Sequence, residues 1–268
     1  MLRWGSGMLS TQTRTELAAR LAAAETNRTP IGPIARDEPD IDVVDAYEIQ
    51  LINIRRRVAD GAAVVGHKVG LSSRAMQQMM GVDEPDYGHL LADMEVFEHS
   101  PVDSARYCYP RVEVEVAFVL GADLPGASCT TDDVLEATEF VAPSMELIDS
   151  RIKDWKIGLP DTIADNASSA GFVLGEQRVA PSDIDLTAID AVLLRNDLRV
   201  AEGRSDAVLG NPVTAVSWLA RKVDRFGVRL KKGDIVLPGS CTRAVDVRAG
   251  DRFRANFAGL GAVVLEFD

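Results

Sequence analysis

The segment Arg111-Val-Glu-Val-Glu-Val-Ala-Phe-Val-Leu-Gly121 sets Glu113 and Glu115 two positions apart in an otherwise apolar run. In a β-strand successive side chains alternate faces and each residue rises roughly 3.3 Å. Both carboxylates therefore leave one face, and Val112, Val114, Val116, Phe118 and Leu120 leave the other. Two anions held side by side require a cation. A third acid, Glu146, lies in Ala142-Pro-Ser-Met-Glu-Leu-Ile-Asp149, a short apolar segment that reads as another strand. Three carboxylates can ligate one hard ion, and oxygen-only ligation favours Mg²⁺ or Mn²⁺ over Zn²⁺. An octahedral ion held this way keeps positions open for a chelating substrate and a water, which points to catalysis. The competing reading is an antiparallel strand with one wet face.

Lys68 stands between two glycines in the apolar stretch Gly66-His-Lys-Val-Gly70, where a cation would neutralise a carboxylate or enolate beside a metal. A strand-end lysine reaching to water is the alternative. Asp83-Glu-Pro-Asp-Tyr-Gly-His-Leu90 reads as a turn-rich loop, with Asp86 as a candidate proton carrier. Asp161-Thr-Ile-Ala-Asp-Asn-Ala-Ser-Ser169 suits the lining of a small polar pocket or a helix capped by Asp161 and Ser168. Gly239-Ser-Cys-Thr-Arg243 reads either as a carboxylate-binding loop or as a plain turn. His67, His89 and His99 form no metal-binding or His-acid pair in the sequence, and no Gly-x-Ser-x-Gly elbow is present.

The elements that must position these residues follow from periodicity and punctuation. Residues 10–27 predict a helix, the 30–39 stretch with its prolines breaks it, and a second helix capped by Asp42 runs to Gly61. From Ala62 onward short apolar runs separated by Gly, Pro and Asp predict a sheet-rich body. Within it, helices are expected over 72–80 and 131–141, a strand over 171–174 and a hairpin over 191–200 turning at Asn196-Asp197. Asn211-Pro212 opens a further helix that Gly227 ends. Strands do not alternate regularly with helices, so the reading is α+β, with a helical N-terminal region at 1–61 and a β-body at 62–268.

A formal charge of -12 disfavours nucleic acid and anionic membranes as partners. No run reaches the ~18 apolar residues of a membrane span. The three scattered cysteines indicate neither a disulfide framework nor a zinc cluster, as expected of a reducing cytoplasm. Met8 reads as an alternative start, making the first seven residues a disordered extension. No dinucleotide fingerprint or phosphate-binding Gly-Lys-Ser/Thr loop is present, so nucleotide cofactors lack support.

Taken together, the motifs at 66–72, 85–90, 110–115, 145–149, 161–168 and 210–212 resemble the 2-keto-4-pentenoate (2-hydroxypenta-2,4-dienoate) hydratase family. That family lies within the superfamily of the fumarylacetoacetate hydrolase C-terminal domain. The resemblance implies a helical region on a curled mixed β-roll, assembled as a homo-oligomer. It implies Mg²⁺ or Mn²⁺ held by Glu113, Glu115 and Glu146, with Lys68 and Asp86 in the active site. Ser72, Asp165 and Ser168, which lie in the shared motifs, are expected to bind substrate. The implied reaction is hydration of a 2-hydroxydienoate in aromatic or sterol ring catabolism, with an aldolase downstream. The sister 4-oxalocrotonate decarboxylases share these motifs, so decarboxylation of a 2-oxo-dienedioate is the alternative, followed by a non-catalytic metal-binding role.

Overall fold

The computed structural model describes residues 8–268, so the expected extension at 1–7 lies outside the described residues. Helix α1 (Thr11–Asn27) starts where Ser10 accepts the Thr13 N–H, and α3 (Val43–Ala59) starts at a capping box between Asp42 and Asp45. Between them the proline-containing segment does more than break a helix. It holds the single turn α2 (Ile34–Asp37), because the Asp161 carboxylate accepts the N–H groups of Ile34 and Ala35.

The body follows as β1 (Val64–Gly70), α4 (Arg74–Met80), β2 (Asp86–Leu91), β3 (Arg111–Leu120), α5 (Thr131–Ala137), β4 (Thr138–Ile148), α6 (Leu159–Ala164) and β5 (Ser169–Leu174). It ends with β6 (Asp190–Arg195), β7 (Leu198–Arg204), α7 (Pro212–Asp224), β8 (Ile235–Leu237), β9 (Val245–Asp246), β10 (Arg252–Phe257) and β11 (Gly261–Glu266). One sheet is seven-stranded in the order β2-β1-β8-β3-β4-β5, with β9 beside β3. It is mixed, since β1 and β8 run parallel while its other pairs are antiparallel. The sheet curls so that its end strands β2 and β5 approach each other. A second, four-stranded sheet in the order β11-β10-β6-β7 packs against β4.

Two local expectations are corrected. Residues 86–91 form a fully buried strand rather than a turn-rich loop, because pairing with β1 satisfies the backbone and burial outweighs the turn propensity of Pro85, Asp86 and Gly88. The helix expected over 131–141 stops at Ala137, where β4 begins and pairs with β3. The hairpin and the Asn211-capped helix stand as read. Leu17, Tyr47, Val114, Val216 and Phe253 belong to one continuous core, so the N-terminal helices are sealed onto the β-body by shared apolar burial. No helix among the described residues is long and apolar enough to cross a membrane.

Candidate metal centre and active site

β3 and β4 are adjacent antiparallel strands whose register sets Glu113 directly opposite Glu146. Like charges facing each other across a pair destabilise a sheet. Here they converge, and Glu115 joins them from two positions along β3, so that one oxygen of each carboxylate lies within 4.8 Å of the others. Glu115 and Glu146 are 0% exposed and Glu113 is only partly so, which removes the wet-strand reading. Glu115 Oε2 accepts the Gly239 N–H at 2.7 Å, while Glu115 Oε1 and Glu146 Oε1 are buried with no hydrogen-bond partner. A buried acceptor without a partner is costly. A cation bound among the three would relieve that cost, and a hard divalent ion matches the all-oxygen donor set.

Lys68 supplies part of the compensating charge. Its Nζ lies 3.2 Å from Glu146 Oε2 and donates to the Ala167 carbonyl at 3.0 Å. Burial alone would push the ammonium towards neutrality, but Glu146 and Glu113 override it and keep Lys68 charged. Burial drives the Glu146 carboxyl up to about 7, against the pull of Lys68. Glu115 rises through burial and its two glutamate neighbours, and Glu113 rises through burial despite Lys68 and Arg111. Lys68 offsets one of three negative charges, which leaves the demand of a divalent ion.

Asp86 starts β2 opposite Gly70 and is almost wholly buried. A Cβ at Gly70 would collide with Asp86 Oδ1 and lie 3.6 Å from Lys68 Nζ, so this glycine lets the carboxylate settle beside the ammonium. Burial pushes Asp86 up to about 6, with Lys68 opposing. A group near that value exists in both protonation states around neutral pH.

The structure treats the other candidates differently. Ser72 is buried and packs its Oγ against Gly239, the residue that donates to Glu115. Ser168 is buried with its Oγ 3.4 Å from Thr162 Oγ1. Asp165 is committed elsewhere: it accepts the Arg151 N–H at 2.9 Å and Arg151 Nε at 2.5 Å in a buried ion pair. Its carboxylate thus serves as a structural anchor in this conformation. Arg243 donates to the Val200 carbonyl, and the group of its loop that reaches the carboxylates is the Gly239 N–H. His67 and His89 face each other across β1 and β2, with rings 4.7 Å apart, on the sheet face opposite Lys68. The sequence reading missed Arg151, Asn166, the Gly239 N–H and the Ala167 carbonyl. The last two are backbone groups that carry no residue-type signal, although Gly239, at φ +125°, marks a constrained turn.

The profile of the fumarylacetoacetate (FAA) hydrolase C-terminal family matches residues 58–267. The chain belongs to that family. Among its relatives is the 2-keto-4-pentenoate hydratase of Paraburkholderia xenovorans (strain LB400), 42% identical over 260 residues that cover 97% of both chains. The 2-oxo-hept-4-ene-1,7-dioate hydratase of Escherichia coli is 41% identical over 266 residues, covering 97% of this chain and 100% of the relative. A solved structure of 4-oxalocrotonate decarboxylase from Pseudomonas putida G7, complexed with magnesium and adipate, superposes with a TM-score of 0.94. That protein is 35% identical, and the match covers 98% of this chain and 100% of that one. The family match spans the curled mixed sheet with its flanking helices described above, and the superposition on the decarboxylase takes in the N-terminal helices as well.

Proposed function

We propose that the chain is a hydro-lyase that adds water to 2-hydroxypenta-2,4-dienoate, or a substituted analogue, to give 4-hydroxy-2-oxopentanoate, with Mg²⁺ or Mn²⁺ as cofactor. The observation that carries the reading is the buried carboxylate trio with partnerless oxygens beside Lys68 and Asp86, in a chain over 40% identical to hydratases along nearly its whole length. Glu113, Glu115 and Glu146 would hold the ion. When bound, that ion supplies a Lewis acid for the 2-oxygen and an anchor for the adjacent carboxylate.

The side chains of the protein do the rest. Lys68 stays charged and neutralises the anionic end of the substrate. Asp86, able to hold or release a proton near neutrality, carries the proton that converts the dienol into an α,β-unsaturated ketone. Protonation at C5 moves the double bond to C3–C4, and conjugation with the 2-oxo group makes C4 the carbon that water attacks. Ser72, packed against Gly239, and Ser168 would bind the substrate, and Asp165 would support the site through Arg151.

On this reading the protein acts in aromatic or sterol ring breakdown, with an aldolase next to cleave the 4-hydroxy-2-oxo acid. The isolated cysteines suit a reducing cytoplasm, and the family resemblance is what suggests a homo-oligomer. The test uses freshly generated 2-hydroxypenta-2,4-dienoate and follows its absorbance with and without Mg²⁺, alongside CO₂ release from a 2-oxo-dienedioate. Metal-dependent hydration without CO₂ is expected. Glu113→Ala should lose turnover and metal affinity while keeping the fold. Full turnover in a metal-stripped sample would refute the ligand assignment, and CO₂ as the main product would make the enzyme a decarboxylase.

A further inference from the structure

The turn between α6 and β5 passes through three successive non-glycine residues in the left-handed region: Asn166 (φ 56°), Ala167 (φ 49°) and Ser168 (φ 60°). Residues with a Cβ avoid this region because the Cβ crowds a carbonyl oxygen. Such a turn persists only where its surroundings over-determine it. Before it, Arg151 holds both the side chain and the carbonyl of Asp165. After it, the Ser168 carbonyl accepts the Asp149 N–H at 2.8 Å.

In the middle, Asn166 reaches across to β2. Its Oδ1 accepts the His89 N–H at 2.8 Å, and its Nδ2 donates to the His89 carbonyl at 2.9 Å. β2 and β5 are the two ends of the seven-stranded sheet, and Asn166 lies three residues before β5. One side-chain amide therefore stands where a neighbouring strand's backbone would stand and bridges the seam. Gly88 permits the approach, since a Cβ there would collide with the Asn166 carbonyl. The next residue, Ala167, presents the carbonyl that accepts Lys68 Nζ at 3.0 Å, and the same ammonium lies 3.2 Å from Glu146.

The geometry points to Asn166 as a positioning residue for Lys68: by locking the left-handed turn against β2, it fixes the Ala167 carbonyl that aims the ammonium at Glu146 and the substrate. The kinetic part of this inference rests on the hydratase reading, and the spectroscopic part does not.

Two variants test it in the Mg²⁺-loaded enzyme. Asn166→Ala removes both bonds to His89, whereas Asn166→Asp keeps the size and the acceptor but sets an anionic oxygen against the His89 carbonyl. Displacing a substrate-orienting group by about 1 Å costs on the order of 10²-fold in rate, and Asn166→Ala is expected to lose that much in kcat/KM. In a Lys68→Met background the same substitution should change kcat/KM by less than about twofold, because residues acting through one group are not additive. Losses that multiply in the double variant, or a single variant within about twofold of the parent, would overturn the role.

With ¹⁵N-lysine labelling, the ammonium of Lys68, identified by its disappearance in Lys68→Met, should give a slowly exchanging ¹⁵N–¹H signal that both Asn166 variants lose. Its persistence in Asn166→Ala, or its absence from the parent protein, counts against the inference even if no dienoate is turned over. If Asn166→Ala fails to fold, the signal in Asn166→Asp decides. A parent enzyme inactive on the dienoate refutes the hydratase reading alone.

Discussion

Raising the pH from 6 to 8 should tighten Mg²⁺ binding by about tenfold, because the ion takes only ionised carboxylates. Burial and Glu113 push Glu146 up to about 7 against the pull of Lys68. Roughly a tenth of it is then ionised at pH 6 and nine-tenths at pH 8, a gain of about tenfold in affinity and on the order of 1 kcal/mol. Glu115 and Glu113 are also raised, so their titration can only steepen the dependence. The sign for folding is opposite. A carboxyl whose folded pKa exceeds its unfolded value binds extra protons in the native state, so the metal-free protein loses stability as pH rises from 4.5 through about 7. Bound metal should restore that stability above pH 7. Isothermal calorimetry in two buffers of different ionisation enthalpy measures affinity and proton release together. At pH 7 at least about half a proton should leave per ion bound. An affinity flat between pH 6 and 8 with no proton release would refute the claim that these buried glutamates hold the ion.

Asp86→Asn should lower kcat by ~10²–10⁴-fold and abolish the inflection of the pH-rate profile near pH 6, with Mg²⁺ affinity by calorimetry little changed; an unaltered pH-rate profile would remove Asp86 from proton transfer. Arg151→Leu strands Asp165 without its counter-ion, and breaking a buried pair in this way costs ~3–5 kcal/mol, read by denaturant unfolding at neutral pH. Adding Asp165→Asn should recover part of that loss, and equal stability of the single variant and the parent would contradict the anchor role. Gly239→Ala combines a φ of +125° with a collision against Ser72 Oγ, so the N–H that holds Glu115 must move. Metal affinity should weaken, and an unchanged dissociation constant would show that this backbone donor is dispensable.

The carboxylate trio was legible because strand alternation is a strong local rule: Glu113 and Glu115 share a face whatever the rest of the chain does. Glu146 needed its segment to be a strand as well, and the apolar run Met145 to Ile148 carried that information. Asp86 was picked out for chemistry while its setting was misread, since Pro, Asp, Tyr and Gly in succession look like a turn until β1 pairs with them. Helix 131–137 was overrun for a related reason. Thr138 to Val141 have no local stop signal, and β3 decides their conformation. Asp165 lies in a polar, small-residue segment that resembles a ligand pocket, but its partner Arg151 is fourteen positions away and nothing in the sequence links the two.

By itself the sequence determined the α+β class, the N-terminal helices with the Asp42 cap of the second, the Asn211-Pro212 helix start, the carboxylate pair on β3 and the family resemblance. These depend on side-chain period, capping and short motifs, all of which act within a few residues. Only the tertiary structure decided that Glu146 stands opposite Glu113, that Lys68 is suspended between Glu146 and the Ala167 carbonyl, and that Asn166 bridges the two ends of the sheet. Register between strands and the curl of a sheet come from long-range packing and hydrogen bonding, and the donors and acceptors that complete the site are largely backbone groups, identical in every residue until the fold places them.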